Sequence, residues 1–249
     1  MSVVAIVLLG FGLADMASAS APAKMSLMGI TVPLSLALVG CAYVVGLATW
    51  RPWALGVAML VILSGWLSAR PKIGAPAGGP ANDPRAELAL IAGVVALSLI
   101  LAGSFPNVGG AFQRWFVRLP LHSLRANSNQ VALAIAGFFV MLHTGNRIIR
   151  LVLAVVGAEV EAGQQKLKGG RYIGPIERLI VAALMLSGSL EGAGLIIAAK
   201  GFVRLPEIRS ETENEDGVGD SVAEYFLIGT LTSIAIAGSL AALILGTRT

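Results

Sequence analysis

Long apolar runs separated by short polar segments dominate the chain. About 20 predominantly apolar residues cross a bilayer as a helix. Apolar stretches cover Gly29 to Trp50, Trp53 to Ala69, Glu87 to Phe105, Val131 to Val160, Glu177 to Lys200 and Ser221 to Gly246. A shorter one, Val3 to Leu13, precedes them. The pattern predicts an all-α, polytopic transmembrane helical bundle of six or seven spans with interfacial helices. It reads as one domain over 1–249, with N-terminal spans in 1–105, an interfacial segment in 106–127 and C-terminal spans in 128–249.

The ends of the runs carry local signals. Residues 1–20 read either as a shallow first span or as a re-entrant piece, with Asp15 near the end. Ala17-Ser18-Ala19 has the small-residue form of a signal-peptidase site, but the start carries no positive charge, so no cleavage is expected. Trp50, Trp53 and Trp66 lie near run ends, as an interfacial aromatic belt would place them. Arg70 to Pro84 is linker-like, and Asp83-Pro84 predicts a helix N-cap followed by proline in the first turn. Gln113 to Asn129, with its arginines, Trp115 and His122, reads as a segment lying at the headgroups.

Val131 to Val160 is too long for one simple span, and His143-Thr144-Gly145-Asn146-Arg147 interrupts it. Either the helix ends near His143 and an amphipathic surface helix follows, or a broken helix continues through the bilayer with polar backbone at the break. Further on, Arg204 to Asp220 reads as a solvated loop with the acidic run Glu211 to Asp216, and Ser221-Val222-Ala223-Glu224 as the capping box of the last span. Phe116-Val117-Arg118-Leu119-Pro120 recurs letter for letter at 202–206. Either a duplicated helical pair or a shared way of leaving the bilayer would explain the echo.

Composition sharpens the class. Of 249 residues, 56% are hydrophobic and 13% charged, against about 25% charged in soluble domains. The net charge of +4 matches the usual excess of Lys and Arg at membrane surfaces. Its scatter between spans argues against nucleic-acid binding. Lone Cys41 lies in an apolar run and reads as a buried small hydrophobe.

Candidate chemistry centres on the run from Glu177 to Lys200, read as one continuous membrane-crossing helix. Glu191 then falls in its middle, where an ionised side chain faces protein or a wet cavity. At about 100° per residue, Glu177, Ser187 and Glu191 share one side, and Arg178, Ser189 and Lys200 another. The partner expected for Glu191 is Arg147, Arg150 or His143, with Asn146 at the break contributing. Two readings stay open: a ligand site, or ion pairs fixing helix register. Gly188 and Gly192 stand at the GxxxG spacing that lets helices approach, a route to self-association or to docking on other membrane subunits. Arg114, Arg118, His122, Arg125 and Arg204 are candidates for lipid headgroup contacts. No metal or cofactor is expected: two histidines are too few for a histidine-based metal site, and phosphate-loop and serine-elbow motifs are missing.

Three pieces carry a family resemblance: Gly170-Arg171-Tyr172-Ile173-Gly174-Pro175-Ile176-Glu177-Arg178-Leu179, Ala198-Ala199-Lys200-Gly201-Phe202-Val203-Arg204, and Ala223-Glu224-Tyr225-Phe226-Leu227-Ile228-Gly229-Thr230-Leu231. In order and separation they resemble the last two spans of an uncharacterised family of bacterial integral membrane proteins carrying a domain of unknown function. The likeness is confined to the C-terminal third, 169–247. It implies a helical fold in a bacterial inner membrane, and a module holding Glu177, Arg178, Lys200, Arg204 and Glu224. On a continuous helix, Glu177 and Arg178 would stand at one end and Lys200 and Arg204 at the other, so the five could not form one cluster. The expected function is transport or binding of a small solute, ion or lipid. The alternatives are a non-catalytic subunit of a larger membrane complex and a lipid-headgroup enzyme.

Overall fold

A computed structural model of the chain describes residues 1–20, 26–68, 83–118, 127–157, 170–214 and 218–248; within these, the side chains of 170–172, 204–223 and 248 are not described. The described residues are helical, without a strand among them. Six helices are long and apolar enough to cross a membrane: Ser2–Ser20, Leu27–Val44, Arg51–Ser68, Pro84–Ser104, Ser128–Val156 and Glu224–Leu245. Large apolar side chains such as Leu36, Val61, Ile100, Leu195, Val203 and Leu231 point outward. A soluble protein would bury such a surface, whereas lipid accepts it. The protein is a membrane-embedded helical bundle.

The chain falls into two compact units, Met1–Thr144 with Gly246–Thr249, and Gly145–Leu245, where the sequence pattern alone suggested one domain. In the first unit, α1 (Ser2–Ser20) is the central helix, in contact with α2 (Leu27–Val44), α3 (Arg51–Ser68), α4 (Pro84–Leu101) and α6 (Ser128–Phe139). It is apolar around its whole circumference, which suits a helix surrounded by others. The first run is therefore a continuous helix of 19 residues, long and apolar enough to cross a membrane. Gly12 lets α6 come close: a Cβ there would stand 2.6 Å from the Phe139 Cβ and 2.9 Å from the Val140 nitrogen.

Trp66 departs from the expected belt. It is fully buried, stacks edge-to-face on Phe11 at 5.4 Å, and donates its indole N–H to Asp15 Oδ1 at 3.0 Å. The carboxylate near the end of α1 gives the indole a polar partner that lipid could not supply. Trp50 and Trp53 are exposed, as an interfacial position requires. Asp83 caps α4 by accepting from the Arg85 N–H at 3.0 Å, with Pro84 in the first turn. Asn127 and Gln130 form a capping box that starts α6. Between α4 and α6 lies α5 (Gly110–Val117), a short amphipathic helix.

The polar interruption at 143–147 breaks nothing. A π-turn, Val140–Thr144, joins α6 to α7 (Gly145–Val156), and the helical backbone runs unbroken from Ser128 to Val156. One extra residue in the turn absorbs the disturbance without exposing backbone groups.

The second unit contains α7, α8 (Gly170–Leu186), α9 (Leu190–Asn214) and α10 (Val218–Leu245). The backbone of α9 stays helical through 204–214, where a loop was expected, and α10 begins at Val218, which places Ser221 inside the helix instead of at its cap. Of the first Phe-Val-Arg-Leu-Pro copy, Phe116-Val117-Arg118 closes α5 and Leu119-Pro120 lie outside the described residues, while the second copy lies within α9.

Candidate functional site

The site follows from one reversal of the chain. Gly188 has φ +84°, and its N–H donates to the Met185 carbonyl at 3.1 Å while the Ser189 N–H donates to the Leu184 carbonyl at 2.9 Å. This paired arrangement closes a helix C-terminus with glycine in the left-handed region. The run from Glu177 to Lys200 is therefore a hairpin of α8 and α9, not one membrane-crossing helix. Glu191 stands exposed in the first turn of α9, where the helix dipole favours a carboxylate, and not in the middle of one continuous helix. The expected pairing of Glu191 with Arg147, Arg150 or His143 falls with it. Gly188 is used in the turn, and Gly192 is filled in by its own hairpin, since a Cβ there would meet Ser189 Oγ at 2.7 Å and Leu184 Cδ2 at 3.3 Å. Gly188 and Gly192 therefore do not form one helix face of paired glycines.

The hairpin also brings together what a straight helix would separate. Lys200 returns beside Glu177 and donates to its Oε2, with both side chains about 25% exposed. Arg178, next in sequence, points the other way and is 1% exposed. Its Nη2 donates to the side-chain carbonyl of Asn146 on α7, while Nε and Nη1 have no hydrogen-bond partner among the described residues. The guanidinium packs over Gly145, where a Cβ would stand 3.1 Å from Cζ and Nη1. A glycine is what lets α7 approach so closely.

Glu177, Arg178 and Lys200 line a cavity of about 20 Å³ together with Val181, Ile196 and Ile197 of the hairpin and Thr230, Ser233 and Ile234 of α10. That volume holds about one water-sized particle. The level of the cavity along α10 can be read from its neighbours. Residues 177–181 of α8 meet 230–234, and Met185 Sδ comes within 3.8 Å of a Cβ built on Gly238, so α8 and α10 run in the same direction. Ser233 and Ile234 lie at the middle of the apolar stretch Glu224–Leu245. At about 1.5 Å per residue, Ser233 is roughly 14 Å from its start.

Of the residues singled out in the sequence, the structure joins Glu177, Arg178, Lys200 and Asn146. Arg147 is half-buried on α7 and Arg150 is exposed. His143 belongs to the π-turn of the first unit, with Nδ1 buried and without a hydrogen-bond partner among the described residues. Arg114 and Arg118 are exposed at the end of α5. His122 and Arg125 lie outside the described residues, as does the side chain of Arg204. Glu224 is exposed near the start of α10. Sequence reasoning missed Thr230 and Ser233, which line the cavity; hydroxyls three residues apart in an apolar run were the available sign. Among the described residues, no three His, Cys, Asp or Glu side chains are placed to hold a metal. In comparisons with protein-family models, curated proteins and solved structures, nothing matched the chain.

Proposed function

We propose that this protein binds and passes a small ion or charged solute across its membrane through the polar site of the second unit, with Arg178 at the centre. The observation that carries the reading is a buried guanidinium with unused donors, level with the middle of an apolar helix. Placing a cation at bilayer depth costs at least about 2.5 kcal/mol, and such groups face protein or water and mark ion and substrate pathways. A purely structural ion pair would use both partners fully. Here Glu177 is bonded to Lys200, and among the described residues the hydrogen bond of Arg178 goes to a neutral amide. The resemblance of the C-terminal third to bacterial membrane proteins supports reading that membrane as a bacterial cytoplasmic one.

The test is flux in proteoliposomes, followed with entrapped pH and halide indicators and a potential-sensitive dye. Arg178→Gln should abolish a flux that the wild-type protein supports. Wild-type vesicles as silent as protein-free vesicles to every indicator would overturn the reading.

A further inference from the structure

Away from the site of the second unit, we infer that the end of the first unit built around α5 is a docking surface for anionic phospholipid. Arg51, Arg114 and Arg118 are its phosphate contacts. Two loops build this end. The Gly109 N–H donates to the Val45 carbonyl at 2.8 Å, and a Cβ on Gly46 would stand 2.9 Å from the Gly110 nitrogen. This close approach fixes the start of α5 against the end of α2. Across the same two loops, the guanidinium of Arg51, the first residue of α3, lies 5.8 Å from the centroid of the Phe105 ring.

Helix geometry sorts the side chains of α5. Phe112 and Phe116, one turn apart, are half-buried. Arg114 and Arg118, also one turn apart, are exposed about 200° round from them. Residues four apart have Cβ atoms about 5–6 Å from each other, close enough for two guanidinium groups to meet one phosphate.

Charge gives the sign of the partner. No Asp or Glu occurs between Asp15 and Asp83 or between Glu87 and Glu159, so neither loop nor α5 contains a carboxylate. Ser2 Oγ donates to the Pro106 carbonyl at 2.7 Å, which sets the start of α1 at this end and Asp15 about 20 Å along the helix. Glu87 is likewise about 20 Å from Leu101, in the first turn of α4. Among the described residues no carboxylate pairs with Arg51, Arg114 or Arg118. The charge that balances them comes from outside the chain.

The surroundings give the class. Trp50, Trp53 and Trp115 are 70%, 55% and 52% exposed. Tryptophan beside basic residues suits the headgroup level of a bilayer. Free phosphate would meet the guanidinium groups and leave these rings in water, whereas a lipid covers both. A zwitterionic headgroup carries its own cation and offsets less of the charge.

The experiment is quenching of the intrinsic tryptophans by brominated-chain lipids, with the full chain reconstituted in phosphatidylcholine vesicles. Brominated phosphatidylglycerol or brominated phosphatidylcholine is included as a small fraction, and the ratio of quenching reports the preference for the anionic lipid. The wild-type protein should prefer phosphatidylglycerol about tenfold or more, and less so at high salt. Arg114→Gln and Arg118→Gln should each lower the preference about fivefold, and the double variant should erase it. Arg114→Lys keeps the charge and should keep most of the preference. Arg85→Gln removes the same charge beside Asp83 and Glu87 at the opposite end of α4 and should change nothing. Equal quenching by the two lipids, an unchanged preference in the double variant, or an equal loss in Arg85→Gln would overturn the inference. Displacement of the lipid by inorganic phosphate at constant ionic strength would also overturn it, in favour of a free-anion site. So would equal quenching together with a polypeptide that the wild-type protein retains from native membranes and the double variant loses. None of these outcomes depends on ion passage beside Arg178.

Discussion

Separating Lys200 from Glu177 measures how far their site lies from water. The pair is about 25% exposed on each side, between a solvated contact and an interior one. Exposed ion pairs contribute about 0.2–1 kcal/mol in double-mutant cycles. Removing one partner of a buried pair costs about 3–5 kcal/mol, because the remaining charge is stranded. The level of the pair along α10, near the middle of an apolar stretch, moves the expectation toward the second case. We expect Lys200→Met to destabilise by about 2–4 kcal/mol, since Glu177 loses its partner in a region with little water to replace it. Glu177→Gln should cost about the same. The double variant should recover much of the loss, giving a coupling of about 2 kcal/mol. Reversible unfolding of the purified protein in mixed micelles of rising denaturing-detergent fraction supplies the free energies. A coupling below about 0.5 kcal/mol would place the pair in water.

Gly188→Ala should destabilise the hairpin by about 1–2 kcal/mol in the same assay, from the left-handed backbone alone, because a Cβ there meets nothing within 4 Å. Gly12→Ala should cost about 1–3 kcal/mol or more by pushing α1 away from the Phe139 backbone, whereas Gly93→Ala, in open space on α4, should be neutral or stabilising by up to about 1 kcal/mol. Trp66→Phe should cost about 1–3 kcal/mol by taking the indole donor from buried Asp15, seen as a lower unfolding midpoint; an unchanged midpoint would mean that water replaces it.

The class of the protein was legible in the sequence because it depends on run length and composition, which need no knowledge of neighbours. Stretches of about 20 apolar residues must cross a membrane wherever they pack. Local signals were equally readable where one residue acts on its own backbone, as with Asp83 capping α4. Ser187-Gly188-Ser189 shows where this stops. Glycine between serines suits a turn, and the same glycine with Gly192 suits a helix–helix contact; the spacing cannot choose between them. A continuous helix misplaces Glu191 and Lys200. A helix wheel placed Lys200 away from Glu177, but a reversal at Gly188 puts them in contact. Trp66 failed for a related reason: its place at a run end suggested the interface, and only the packing of α3 against α1 supplied Asp15 as a buried partner.

The sequence by itself determined that this is an all-helical membrane protein, where most of its helices lie, and that Glu177, Arg178, Asn146 and Lys200 deserved notice as polar groups among apolar ones. Tertiary structure decided which of them meet. It set Glu191 in the first turn of α9, closed α7 over the guanidinium at Gly145, and brought Thr230 and Ser233 of α10 to the cavity. The physical reason is that hydrophobic burial and helix propensity act on each residue where it stands. An ion pair between residues 23 apart exists only once a turn has reversed the chain. That turn rests on the backbone freedom of a single glycine.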